Sequence, residues 1–95
     1  MWLFDQTPTT ATIVSKSVIE DGLPILFVTH DEDDHGWQFL DGSEPPSEPM
    51  LVCLSHPVNL DPSVAELGDL PPGWCAWRDS VDHPWSRGPL ASDEA

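Results

Sequence analysis

The sequence has no tyrosine, only two cysteines and, histidines aside, only three cationic side chains among 95 residues. Each shortage excludes something. Lys16, Arg78 and Arg87 face seventeen acids, which leaves a formal net charge of -14. Such a surface repels phosphate backbones and anionic lipid, so electrostatic binding to nucleic acid or to a membrane is not expected. Cys53 and Cys75 are too few for a disulfide framework, although spacing alone leaves a bridge between them open. No stretch approaches the roughly 20 apolar residues that cross a bilayer. The opening Met1-Trp2-Leu3-Phe4-Asp5 lacks the basic region and the run of roughly 7 to 15 apolar residues of a secretory signal. The expectation is a cytoplasmic protein with reduced thiols. Gly-x-Ser-x-Gly and glycine-rich phosphate-binding loops are also missing, so no nucleophile or phosphate cradle is obvious.

What is present points to one small domain. Apolar residues make up 39% of the chain, and five Trp with three Phe supply large rings for a modest core. Residues 1–10 end in Gln6-Thr7-Pro8-Thr9-Thr10 and read as a loose N-terminal arm, with Trp2, Leu3 and Phe4 able to dock. Ala11 to Val14 is β-prone, and Ser15 to Glu20 reads as a helical turn stopped by Gly22. Pro24 to Thr29 is the clearest strand, apolar at successive positions as for a strand covered on both faces. The acidic run His30 to His35 follows as a connection to a second strand, Trp37-Gln38-Phe39-Leu40.

The proline-rich stretch from Asp41 to Pro49 breaks the pattern, and Met50 to Leu54 restores it as a third strand. Asp61-Pro62 opens a helix through Leu67, with Asp61 as cap and proline in the first turn. Trp74 to Arg78 is a last strand, and 86–95 read as a disordered C-terminal tail beyond a domain spanning 11–85. The predicted fold is α+β, a small antiparallel sheet of three to five strands with one or two short helices on one face.

Several of these residues fall in a familiar order: Val14-Ser15-Lys16, Gly22, a strand ending in a charged pair, Gly36-Trp37-x-Phe39-x-x-Gly42-x-Glu44, Asp61-Pro62, Leu70 and Gly73. That order resembles a family of small bacterial domains of unknown function, part of which is predicted to act as immunity proteins in polymorphic toxin systems. The resemblance spans roughly residues 12–80 and carries no catalytic signature. Members often have an Arg-Glu pair where this chain has His30-Asp31.

Three clusters invite a chemical reading. His30, Asp31, Asp33 and His35 offer imidazole and carboxylate ligands that would suit a cation. Counting from Asp31, the calcium-loop pattern places Asp33 and Gly36 correctly, but Gly42 stands where a bidentate Glu is needed. Cys75 with His83 would be a thiol and its base, yet nothing nearby would lower the thiol pKa. Asp31, Glu32, Asp33 and Asp34 form an acidic stretch suited to a basic protein surface, and Trp77-Arg78 combines two residue types common at interface centres. Arg78 and Lys16 are equally suited to structural ion pairs. The leading expectation is a non-enzymatic, acidic protein-binding domain without a cofactor, immunity-like if the resemblance carries its role. The alternative is a cation-binding domain using the His30 to His35 loop.

Overall fold

Short runs of alternating side chains form the strands β1 (Ala11–Ser15), β2 (Phe27–His30), β3 (Trp37–Leu40), β4 (Pro49–Cys53), β5 (Trp74–Trp77) and β6 (Ser86–Pro89). These make a single sheet in the order β4-β1-β3-β2-β5-β6. The computed structural model describes residues 4, 6–33, 35–43 and 48–90. Asp34 of the acidic run, residues 44–47 of the proline-rich break, Trp2 and Leu3 of the arm and residues 91–95 of the tail lie outside them.

The sheet corrects the expected architecture in two respects. It has six strands rather than three to five, and it is mixed, because β1 and β3 run parallel through Ile13↔Gln38 and Val14↔Phe39. The other four neighbouring pairs are antiparallel. β3 forms its hairpin with β2 and then slots between β2 and β1, and pairing of that kind is set by the path of the chain rather than by local pattern. The sixth strand, Ser86-Arg87-Gly88-Pro89, falls in residues expected to be tail. It contains glycine and proline and no β-branched residue, and it is held from outside. Its ladder with β5 runs from Trp77↔Ser86 to Trp74↔Pro89, and Arg87 ties it to Asp69 at 2.7 Å and to the Glu66 carbonyl at 2.9 Å.

Strand alternation puts Val14, Val28, Trp37, Phe39 and Ala76 on one face, where they meet Val18, Ile25, Leu54, Val64, Leu67 and Leu70 in the core. Phe4 is buried here too, its ring edge-on to Trp37 with centroids 4.9 Å apart. Helix α1 (Lys16–Glu20) follows β1 directly, and α2 (Ser55–Leu60) follows β4. The segment expected to be α-helical from Asp61 is a 3-10 helix, Pro62–Asp69, with the Asp61 carboxylate accepting the Ser63 N–H at 3.1 Å. β4 and β5 lie four strand positions apart, about 19 Å at the usual strand spacing, so α2 and the 3-10 helix must cross the sheet. Leu54, Val64 and Leu67 of that crossing pack on the face that carries Val14, Val28 and Phe39. No helix among the described residues is long and apolar enough to cross a membrane.

Candidate functional site

The second face of the sheet carries the residues that alternate with the core. From β4 to β1 these are Pro49, Leu51, Cys53, Ala11, Ile13 and Ser15, and β3 and β2 add Gln38, Leu40, Phe27 and Thr29. β5 and β6 add Cys75, Trp77, Ser86 and Gly88. None of these fourteen positions is charged, in a chain of net charge -14. Leu51 is 70% exposed and Trp77 43%, whereas Ile13, Phe27 and Leu40 are half-buried and Ser15 and Cys75 are buried, so the face is open to water over part of its area. An uncharged, water-facing sheet is unusual when acids are so abundant, because a sheet with one solvated face normally places polar side chains there.

Two hollows mark this face. One, about 490 Å³, is lined by Leu26, Phe27, Leu40, Gly42, Ser43, Trp77, Arg78 and Asp79. The other, about 240 Å³, is lined by Ala11, Ile13, Gln38 and Leu51, with Asp31 and Gly36 among its other neighbours. On the helical side, exposed Leu23, Leu60 and Val81 edge a further groove of about 500 Å³. Asp61 lines that groove, and its carboxylate is already held by Arg78.

The chain's three Lys and Arg side chains are all engaged. Lys16 lies 4.0 Å from Glu20 and 3.8 Å from Glu48, Arg78 is 2.6 Å from Asp61, and Arg87 is 2.7 Å from Asp69. Asp31, Asp33, Asp79 and Asp82 therefore meet no lysine or arginine among the described residues. Their field is left to act on whatever approaches.

The residues singled out from sequence are divided by the structure. His30 ends β2 and is buried, with Nδ1–H donating to the Leu70 carbonyl at 2.7 Å and the ring stacked 4.0 Å from Trp37. Its Nε2 is also buried and has no hydrogen-bond partner among the described residues. His35 stands in the left-handed region at φ 57°, its ring centroid 6.2 Å from that of His30, and Asp31 Oδ1 accepts the Asp33 N–H at 2.8 Å. Among the described residues no three His, Cys, Asp or Glu side chains gather as a metal site.

Trp77 and Arg78 part company, since consecutive strand residues point to opposite faces. Trp77 lies on the open sheet. Arg78 is 6% exposed, donating from Nε and Nη2 to the Ile25 carbonyl and from Nη1 to Ser63 Oγ, with its guanidinium carbon 4.1 Å from the Trp85 ring centre. Arg78 is thus a structural cation. Burial raises the Asp61 carboxyl pKa, but hydrogen bonds from Ser63 and Arg78 outweigh it and hold the group below the usual carboxylate range.

Asp41, just past β3, is treated likewise. Burial again pushes upward, but the Ser17 hydroxyl and the Ser43 hydroxyl and N–H donate to it and bring it below its ordinary value. Cys75 is buried and its thiol is pushed up, away from thiolate character. His83 bonds Ser80 Oγ at 2.8 Å rather than Cys75, as part of an exposed turn. Cys53 and Cys75 are both free, on strands four positions apart, much too far for a bridge.

Phe27, Leu40, Ile13 and Leu51 are not singled out by the sequence: alternation sets Leu40 opposite Trp37 and Phe39, but the run containing Phe27 reads as covered on both faces, whereas Phe27 is half-buried on the uncharged face. Comparison with known protein families, with curated proteins and with solved structures yields no match for this chain.

Proposed function

We propose that this chain is a non-enzymatic protein-binding domain that receives a basic partner on the open face of its sheet. The observation carrying the proposal is the uncharged six-stranded face in a chain of net charge -14 whose three Lys and Arg side chains are already paired. Apolar area supplies affinity once water is displaced, and the surrounding acids speed encounter with a basic surface and repel acidic ones. A second copy is a poor occupant, because it brings the same -14 charge to the contact. An immunity-like role is the special case in which the basic partner is a toxin.

The test uses short immobilised peptides varied independently in charge and apolar content. Basic peptides with apolar residues should be retained, and retention should fall as ionic strength rises from about 50 to about 300 mM. Gln38→Lys, an exposed change at the centre of the face, should abolish retention without altering the melting temperature. Retention that ignores peptide charge, or that survives both Gln38→Lys and Leu51→Glu, refutes the reading. So does a stable dimer in sedimentation that Gln38→Lys dissociates.

A further inference from the structure

We infer that the groove beside Trp77 is the socket for an arginine side chain of the partner; the inference rests on the protein-binding reading and names the chemistry of its anchor point. The floor is apolar, made by Leu26, Phe27 and Leu40. Phe27 sits opposite both Leu40 and Trp77 in the ladders, so the three side chains stand in one row across β3, β2 and β5. The Trp77 ring leans over β6. A Cβ built on Gly88 would lie 3.3 Å from its Cη2 and 3.5 Å from its Cζ3, so glycine is what lets the indole settle there.

Charge decides which side chain fits. Asp79 lines the same groove, is exposed and meets no lysine or arginine among the described residues. Arg78 also contributes to the wall, but its guanidinium is spent on Asp61 and the Ile25 carbonyl. Behind Ser43 stands the Asp41 carboxylate, held in its ionised form by serine donors. The groove therefore offers an apolar floor, an aromatic ring and the exposed Asp79 carboxylate, with the charge of Arg78 answered by Asp61. A long aliphatic stem ending in a cation satisfies all three together. Arginine satisfies them better than lysine, since its planar, weakly hydrated guanidinium stacks on an indole while binding a carboxylate through two parallel N–H groups.

The groove's volume of about 490 Å³ is ample for one such side chain. Leu26, Phe27 and Trp77 belong to elements tied by backbone bonds, including Leu26 N–H to the Leu40 carbonyl at 2.9 Å and Arg78 N–H to the Leu26 carbonyl at 3.1 Å. The socket is thus pre-formed, which reduces the ordering cost of filling it.

The experiment is a two-dimensional amide and indole NMR titration of the intact chain with N-acetylargininamide, beside N-acetylcitrullinamide as the uncharged isostere and N-acetylnorleucinamide as the apolar stem. Argininamide should shift the Trp77 indole N–H and the amides of Leu40, Gly42 and Asp79 in a saturable way. Citrullinamide and norleucinamide should bind more weakly by about two- to fivefold. Asp79→Asn, an exposed change, should remove the preference for argininamide over citrullinamide. Gly88→Val should displace the indole and weaken all three ligands. Equal binding of arginine and citrulline compounds, or shifts confined to the Asp31–Asp33 loop, overturns the inference. Partner peptides lost on Gln38→Lys but indifferent to Asp79→Asn and Gly88→Val would overturn the socket alone; peptides indifferent to Gln38→Lys would overturn the docking face itself.

Discussion

Replacing Asp61 by alanine removes two things together: the cap of the 3-10 helix and the sole carboxylate partner of Arg78 among the described residues. The Arg78 side chain is 2% exposed and that of Asp61 23%, so the guanidinium would stay buried with the Ile25 carbonyl and Ser63 Oγ as its remaining acceptors among the described residues. Breaking a buried ion pair from one side costs ~3–5 kcal/mol and losing a cap about 1 kcal/mol. Because Asp61 keeps some contact with water, we expect a total near ~3 kcal/mol. That is a large share of the roughly 5–14 kcal/mol available to a chain of this length. At ~4–8 °C per kcal/mol, the melting temperature at neutral pH should fall by roughly 12–24 °C, read by far-UV circular dichroism and checked by urea unfolding. Asp61→Asn retains a capping side chain and should isolate the loss of charge. Combining it with Arg78→Met removes the stranded cation, so the double variant should be more stable than the sum of the single losses predicts. A melting temperature for Asp61→Ala within about 4 °C of wild type, or strictly additive losses in the double variant, would refute this account of Arg78.

Acid should expose the same pairing. Asp41 and Asp61 have folded pKa values below the ordinary 3.8, so the unfolded chain binds protons more readily. Their stabilisation is complete above that ordinary value and is lost as pH falls through the lower folded ones, and Asp41→Asn or Asp61→Asn should flatten the decline in melting temperature on acidification. Gly73, at φ +85° in the turn before β5, should not accept a side chain: Gly73→Ala would strain the backbone and press on Glu32 Oε1, costing ~1–2 kcal/mol by urea unfolding. His35→Gly should do the reverse, relieving the left-handed backbone at φ 57° and raising the melting temperature by a few degrees if relief of ~1 kcal/mol outweighs the added freedom of the unfolded chain; a fall would mean that the His35 ring stabilises the loop. Under native conditions iodoacetamide should label exposed Cys53 much faster than buried Cys75, with the difference vanishing in denaturant; comparable native rates would contradict the closed packing around β5.

The sequence by itself was enough to place five of the six strands within a few residues, the turn at Lys16–Glu20 and the capped start at Asp61, because each depends on local signals: side-chain alternation, proline and glycine punctuation, and a carboxylate beside the first turn. It also determined the charge excess that any partner must answer. The tertiary structure decided the rest. β1 lies parallel to β3 because the chain crosses between them, and β6 forms from a Ser-Arg-Gly-Pro run with little strand propensity because β5, Asp69 and the Trp77 ring provide its partners. His30 sits in the core because β2 continues one residue beyond the apolar run, which turns its ring toward Trp37 and Leu70. Trp77 and Arg78 look like one patch in the sequence, but the Trp77 ring is exposed whereas the Arg78 guanidinium is buried against Asp61 and the Ile25 carbonyl. Alternation identifies two faces for every strand, but which face the crossing helices cover depends on where distant segments pack, and that choice leaves the uncharged face open.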